Sequence, residues 1–270
     1  MALAFAKVND PEPNTGCMPQ GVMALAKLLA SDSDPDVRRN AAHGLGLVSY
    51  HVGQQAATSS LHVLMTALSD ADAGVRRHSA QALGKLGALA KPASSELARL
   101  LEDSNSDVRR NAANALKNLG STGLGIESLP SLVSALGDRS YKVRRNSAVA
   151  LGKLGAEASG AVVALGCALG DEHKEVRRRA AEALGLIQLG VGPEEAVLLG
   201  RALSDEDADT RRVAALALLR LGEVSRVCVG VLELALGGEC DKKTRGLIKQ
   251  VLLALGAMWR TTCTSLPYPL

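Results

Sequence analysis

The stretch DRSYKVRRNSAVALGKLG, residues 138–155, decides the fold. From Val143 onward, Ser147, Ala150, Leu151 and Leu154 recur at spacings that place them on one face of a helix, and the run closes on Gly155, where a C-cap belongs. Upstream, Leu129, Leu132, Val133 and Leu136 repeat the same spacing. The sequence therefore predicts a first helix over 126–136, a turn at 137–140 and a second helix over 141–154. Working outward, Val-Arg-Arg returns at 37–39, 75–77, 108–110 and 176–178, Thr-Arg-Arg at 210–212 and a worn Thr-Arg-Gly at 244–246. The steps are 38, 33, 35, 33, 34 and 34 residues, the signature of a helical solenoid. The expected fold is all-α, an α/α superhelix of about seven two-helix repeats over 18–257. A flexible lead-in over 1–17 and an irregular tail over 258–270 flank it.

Composition agrees with that reading. Of 270 residues 47% are hydrophobic, yet the aromatics are only Phe5, Tyr50, Tyr141, Trp259 and Tyr268. Alanine, leucine and glycine must therefore fill the core, which suits closely approaching helices and suits a wide β-core poorly. High apolar content with a net charge of +3 disfavours disorder. No run of 18 uncharged apolar residues spans a membrane. Cys17, Cys167, Cys228, Cys240 and Cys263 are odd in number and form no CxxC pair, which points to a cytoplasmic or other reducing compartment. Cys167 and Cys228, set in alanine/leucine runs, are expected in the core.

The turn between the two helices carries the sharpest chemistry. Five residues before each anchor stands an acid: Asp32, Asp70, Asp103, Asp138, Asp171, Asp205 and Glu239. Three residues before it stands a capping type at Asp34, Asp72, Asn105, Ser140, Asp207 and Asp241, well placed to accept the first free N–H groups of the second helix. His173 takes that place once, and its turn is expected to be held less well. The first arginine of each pair, Arg38, Arg76, Arg109, Arg144, Arg177 and Arg211, lies six residues after one of these acids. Stacking would assemble acids and arginines into a structural ladder in which bidentate geometry favours Arg over Lys.

The second arginines lie on the polar flank of the second helix. With neighbours at helical spacing they form a candidate binding stripe: Arg39, Arg77, Lys85, Arg110, Asn111, Arg145, Lys153, Arg178 and Arg212. In a stacked solenoid the second helices line the concave face, so the stripe suits another protein or an acidic peptide, bound by a monomer or within a hetero-complex. Solvation of a charged surface is the blander reading of the same residues. Nucleic acid is disfavoured, because the repeats hold only Tyr50 and Tyr141 as stacking aromatics and the net charge is small.

No catalytic motif is visible. His43, His51, His62, His78 and His173 stand in no HExxH or other metal-ligand spacing, and neither a G-x-S-x-G nor a phosphate loop occurs. Seven copies of one acid point to architecture rather than to a catalytic pair, and no metal or cofactor is implied. The unit D-x-D-x-x-V-R-R-x-A-A-x-A-L-G-x-L-G resembles HEAT-like repeats of the type found in phycobilisome bilin lyase subunits. The resemblance implies a superhelix that binds other proteins, with an accessory subunit of a bilin lyase as the alternative. The HEAT-like deoxyhypusine hydroxylases use His-Glu steps for iron, and this sequence has none.

Overall fold

The structure, a computed structural model, describes residues 20–256 apart from 53 and 240, without the side chains of 49–59. The expected lead-in and tail, 1–17 and 258–270, lie outside the described residues. The chain gathers into two compact units, 1–150 and 151–270. In the first, helices follow in pairs: α1 (Gln20–Ser31) with α2 (Pro35–Val52), α3 (Gln54–Thr66) with α4 (Ala73–Leu86), α5 (Ser94–Arg99) with α6 (Ser106–Gly123), and α7 (Leu129–Ser134) with α8 (Tyr141–Leu154), whose last turn falls in the second unit. The second unit then pairs α9 (Val162–Ala168) with α10 (Lys174–Ile187), α11 (Pro193–Arg201) with α12 (Ala208–Leu221), and α13 (Val229–Gly238) with α14 (Lys242–Ala254). No strand occurs among the described residues. These are the tandem two-helix repeats that the spacing predicts.

The second helix of the quoted repeat spans the expected residues, but its first helix is shorter. Residues 126–136 resolve into a 3₁₀ turn (Ile126–Ser128), α7, and a second 3₁₀ turn (Ala135–Gly137). The same tight ending follows α3, α5 and α11. Tightening to i→i+3 satisfies carbonyls that the helix end would orphan. The amides of Asp70, Asp103, Asp138 and Asp205 donate to the carbonyls of Ala67, Leu100, Ala135 and Ala202 at 3.2–3.3 Å. The chain then leaves extended at the aspartate, into the cap of the next helix.

At the far end of the second helices the backbone turns left-handed. Gly87, Gly120, Gly155, Gly222 and Gly256 have φ between +56° and +72°. An L side chain there costs about 1–2 kcal/mol, and Gln188, at φ 57°, is the one described non-glycine that accepts it. Gly190 is also positive, at +79°, but α10 ends two residues earlier, on Gln188.

Small residues set how closely the second helices approach. A Cβ on Gly46 would stand 2.8 Å from Ala82 Cβ, and one on Gly84 2.9 Å from Ala115 Cα. In the second unit Gly152 and Gly185 meet Ala183 and Ala217 in the same way, at 3.0 and 2.8 Å. Beside these contacts each second helix buries a leucine at one register, Leu45, Leu83, Leu116, Leu151, Leu184 and Leu218, all fully. Among the described residues one stretch, Tyr141–Ala168, is long and apolar enough to cross a membrane. It is, however, broken by the left-handed Gly155 and is half buried in the protein.

The glycine contacts are testable. Gly84→Ala gains helix propensity of about 1 kcal/mol but drives a methyl into backbone, at a cost of about 1–3 kcal/mol. A net fall in thermal midpoint is expected. Gly246→Ala, in α14 with nothing within 4 Å of the new methyl, is expected to raise the midpoint. Thermal denaturation followed by circular dichroism separates the two.

Candidate functional site

The turns are built around one carboxylate each. In all seven, an oxygen of the acid accepts the backbone N–H of the residue two positions on, from Asp34 N to Asp32 Oδ1 (2.9 Å) through Asp241 N to Glu239 Oε1 (2.8 Å). That residue then caps the following helix. Asp72 accepts from Val75 N, Asn105 from Asp107 and Val108 N, Asp207 from Thr210 N and Asp241 from Thr244 N. Asp34 accepts from Asp36 N. Where the anchor valine becomes Thr210 or Thr244, the buried hydroxyl also donates to the cap carboxylate. His173 does cap its helix, through a longer bond than the carboxylate caps make. Its Nδ1 accepts from Glu175 N at 3.3 Å, so the ring replaces a carboxylate as the cap.

The first arginine joins one turn to the next. Arg38 Nε and Nη2 donate to the two oxygens of Asp70 at 2.8 and 2.9 Å. Arg76 grips Asp103 and Arg109 grips Asp138 likewise in the first unit, as Arg177 grips Asp205 and Arg211 grips Glu239 in the second. The remaining nitrogen turns back. Arg76 Nη1 donates to the carbonyls of Asp70 and Ala71, and the Nη1 of Arg38, Arg109, Arg144, Arg177 and Arg211 donates to the corresponding carbonyls of its own turn. The sequence places an acid six residues before each arginine and expects stacking to build the ladder. In these five pairs the structure gives that acid's backbone carbonyl to Nη1 and the following repeat's carboxylate to Nε and Nη2.

Four carboxyls of the turns, Asp70, Asp72, Asp103 and Asp207, are held below their ordinary range. For Asp70 the Arg38 guanidinium is the main cause. At Asp103 burial pulls upward, but the Arg76 guanidinium and the Asn105 N–H outweigh it. Asp72 and Asp207 show the same balance, burial being opposed by cap hydrogen bonds and by Arg39 or Lys174.

The second arginines meet acids of two kinds. Arg39 pairs with Asp36 (2.7 Å) and with Asp72 of the next turn (3.1 Å); Arg110 pairs with Asp107 (2.9 Å). In the second unit Arg178 pairs with Glu175 and Asp209, and Arg212 with Asp209. The charge of these four is therefore largely spent within the protein. The sequence signal is an acid three residues earlier, at Asp36, Asp107, Glu175 and Asp209, which a motif centred on the arginines overlooks. At the corresponding positions before Arg77 and Arg145 stand Gly74 and Lys142. Arg77 donates to His78 Nε2 (3.2 Å), and Arg145 donates among its contacts to the buried Asn146 Oδ1. Asn111 is turned to its own helix, donating to Asp107 C=O at 2.8 Å. Lys85 is half-buried and Lys153 exposed.

His78 is pinned in one tautomer. Its Nδ1 lies 2.9 Å from the Gly74 carbonyl, which only accepts, so Nδ1 carries the proton and Nε2 receives Arg77. Burial pushes its pKa below the usual histidine value, and the Arg77 charge adds to the effect. Cys228 is buried as expected and donates to Ala196 C=O, but Cys167 is exposed. Cys167 shares with exposed Val163 the side of α9 opposite Val162 and Leu165. No group of three or more His, Cys, Asp or Glu that could hold a metal ion occurs among the described residues.

The sequence matches the HEAT repeats over residues 22–98, 93–167 and 162–252. The chain belongs to the HEAT repeat family. Among solved structures, an engineered protein superposes on this HEAT chain with a TM-score of 0.69 at 23% identity, over 87% of this chain and 68% of its own. A designed armadillo repeat protein in complex with the peptide (KR)4 aligns at 0.63 and 20% identity, over 74% and 99%. The complex of CpcE and CpcF of phycocyanin lyase from Nostoc sp. PCC7120 aligns at 0.52 and 23%, over 92% and 98%. At these identities the likeness is one of fold. Comparison with curated proteins gives no match.

Two outcomes follow for the HEAT turns. Arg109→Ala strands Asp138 and two turn carbonyls in a mostly buried pair (side chains 16% and 9% exposed). A loss of about 2–4 kcal/mol in urea denaturation is expected, and Arg109→Lys, lacking the fork, should recover less than half. Because the folded His78 pKa is lowered, its contribution is full above the unfolded value of about 6.5 and falls away as pH drops below it. His78→Asn, which can donate to Gly74 C=O as Asn111 donates to Asp107, should remove that slope from stability measured between about pH 7 and 5.

Proposed function

We propose that this HEAT chain is a protein-binding scaffold that receives an acidic segment of a partner protein on its second-helix face, with α4 at the centre of the contact. The observation that carries the reading is the charge left over once the internal pairs are counted. Arg39, Arg110, Arg178 and Arg212 meet carboxylates of this chain. Arg77 meets a histidine that burial and the arginine itself keep neutral, on a helix with no acid in its sequence. Arg77, Gln81 and Lys85 follow at i, i+4 and i+8 and so share one face. Lys85 makes no ion pair among the described residues. Arginine at such a place offers a fork to a carboxylate at little further cost in side-chain order. The designed armadillo relative, solved with a basic peptide, supports peptide docking as a use of this architecture, with the charge here reversed.

Fluorescence anisotropy with a labelled glutamate-rich peptide tests the reading. Arg77→Glu with Lys85→Glu is expected to weaken binding tenfold or more, about 1.4 kcal/mol, and added salt should weaken the wild type. Lys91→Glu, on the exposed 3₁₀ turn after α4, serves as control. Equal affinity in wild type and double variant would remove α4 from the site.

A further inference from the structure

His78 stands where other repeats hold an amide. The register three residues after the anchor is Asn40, Asn111 and Asn146 elsewhere in the first unit. Asn111 spends its amide on the carbonyl four residues back, at Asp107, and His78 Nδ1–H does the same at Gly74. The second ring nitrogen makes the difference. Nε2 accepts from Arg77 Nη2 at 3.2 Å, and it is a base, whereas an asparagine amide cannot change its charge.

The groups around this ring are mostly basic. Arg77 stands on the same helix, and Arg39 and His43 reach it from α2. The His43 and His78 rings meet edge to face, with centroids 5.4 Å apart. Arg39 lies beside Gly74, where any Cβ would collide with its guanidinium. The acid found three residues before Arg39, Arg110, Arg178 and Arg212 therefore has no room before Arg77. The nearby carboxylates are engaged: Asp36 and Asp72 hold Arg39, and Asp107 on α6 holds Arg110. His62, the titratable side chain of α3, lines a cleft beside the Arg38–Asp70 pair instead.

We propose that His78 is a proton switch in the acidic-segment site: a carboxylate arriving on α4 takes the Arg77 fork, and the Nε2 so released takes a proton from solvent and donates to the same segment. The switch presupposes the docking of an acidic segment on α4, as proposed above. Nδ1–H keeps its bond to Gly74 throughout, so the ring gains a donor and a charge without turning over. In the free protein, burial and Arg77 hold the ring neutral. A bound carboxylate opposes the repulsion from Arg77 and Arg39 and favours the charged ring. The complex then carries more protons than its separate parts. Affinity therefore climbs as pH falls, and levels off once the free ring is itself charged.

A labelled glutamate-rich peptide suits the test, because its carboxyls, with pKa about 4.3, stay charged throughout the range used. Fluorescence anisotropy is expected to show affinity rising about threefold or more from pH 7.5 to 6.0; one proton allows at most about tenfold per pH unit. His78→Asn, able to keep the bond to Gly74, should flatten the rise, and His43→Gln should preserve it. Nitrogen NMR of the His78 ring should show the Nδ1–H form in the free protein at pH 7.5. With peptide at pH 6.0 it should show a doubly protonated ring. Equal affinity at both pH values, or a rise that survives in His78→Asn, overturns the switch and leaves the docking reading standing. Peptide that binds at neither pH, or binds wild type and the Arg77→Glu, Lys85→Glu double variant alike, overturns the docking reading and the switch with it.

Discussion

Everything in the fold depends on a guanidinium shared between two turns. In five described pairs, Nε and Nη2 hold the carboxylate of the following turn while Nη1 holds carbonyls of the turn just left. The same carboxylate ties down the N–H of the residue that caps the next helix. Each arginine therefore fixes the shape of one turn and the spacing to its neighbour at once. Lysine has the charge but not the three directions, which is why the position is arginine in six consecutive repeats. Helices of six to nine residues, such as α5, α7, α9 and α11, are far below the length at which a helix stands alone. They persist because both of their ends are held, one by a 3₁₀ turn into the aspartate and one by the left-handed residue before them.

That arrangement works only if the second helices come close, and close approach is what glycine and alanine provide. Gly46, Gly84, Gly152 and Gly185 take alanine methyls or backbone at 2.8–3.0 Å from where a Cβ would stand. A phenylalanine or tryptophan in that layer would push the turns apart beyond the reach of the arginine fork. Scarcity of aromatics and abundance of arginine are thus two sides of one geometry.

The period, the caps and the left-handed glycines were legible in the sequence because each depends on residues close together in the chain. Arg76 shows what was not. Its spacing from Asp70 suggests a side-chain pair, but the partner is Asp103, and only the offset between stacked turns decides that. At His173 residue type alone could not show that an imidazole nitrogen supplies the acceptor the turn requires, at 3.3 Å. Cys167 was misread because alanine/leucine surroundings do not say which side of a seven-residue helix a position faces. The binding stripe was read as mostly basic because the acids three residues before Arg39, Arg110, Arg178 and Arg212 were not weighed against them.

In a protein made of copies, what recurs belongs to the fold, and what differs between copies is free to serve a partner. The recurring acids and first arginines are consumed by the turns, and most second arginines by acids that recur with them. The departures are few: Gly74 and Lys142 where an acid would stand, a neutral histidine beside Arg77, Lys117 at the register where Gly84 and Gly152 make their contacts, and Glu233 and Leu253 at the end of the second unit. Gly74 and His78 leave positive charge uncompensated on α4, whereas Glu233 and Leu253 leave a half-polar, half-apolar side on the last helix pair. Charge without an internal partner suits recognition by a soluble segment that arrives and leaves. The departures on α4 therefore fit the docking site proposed for a partner.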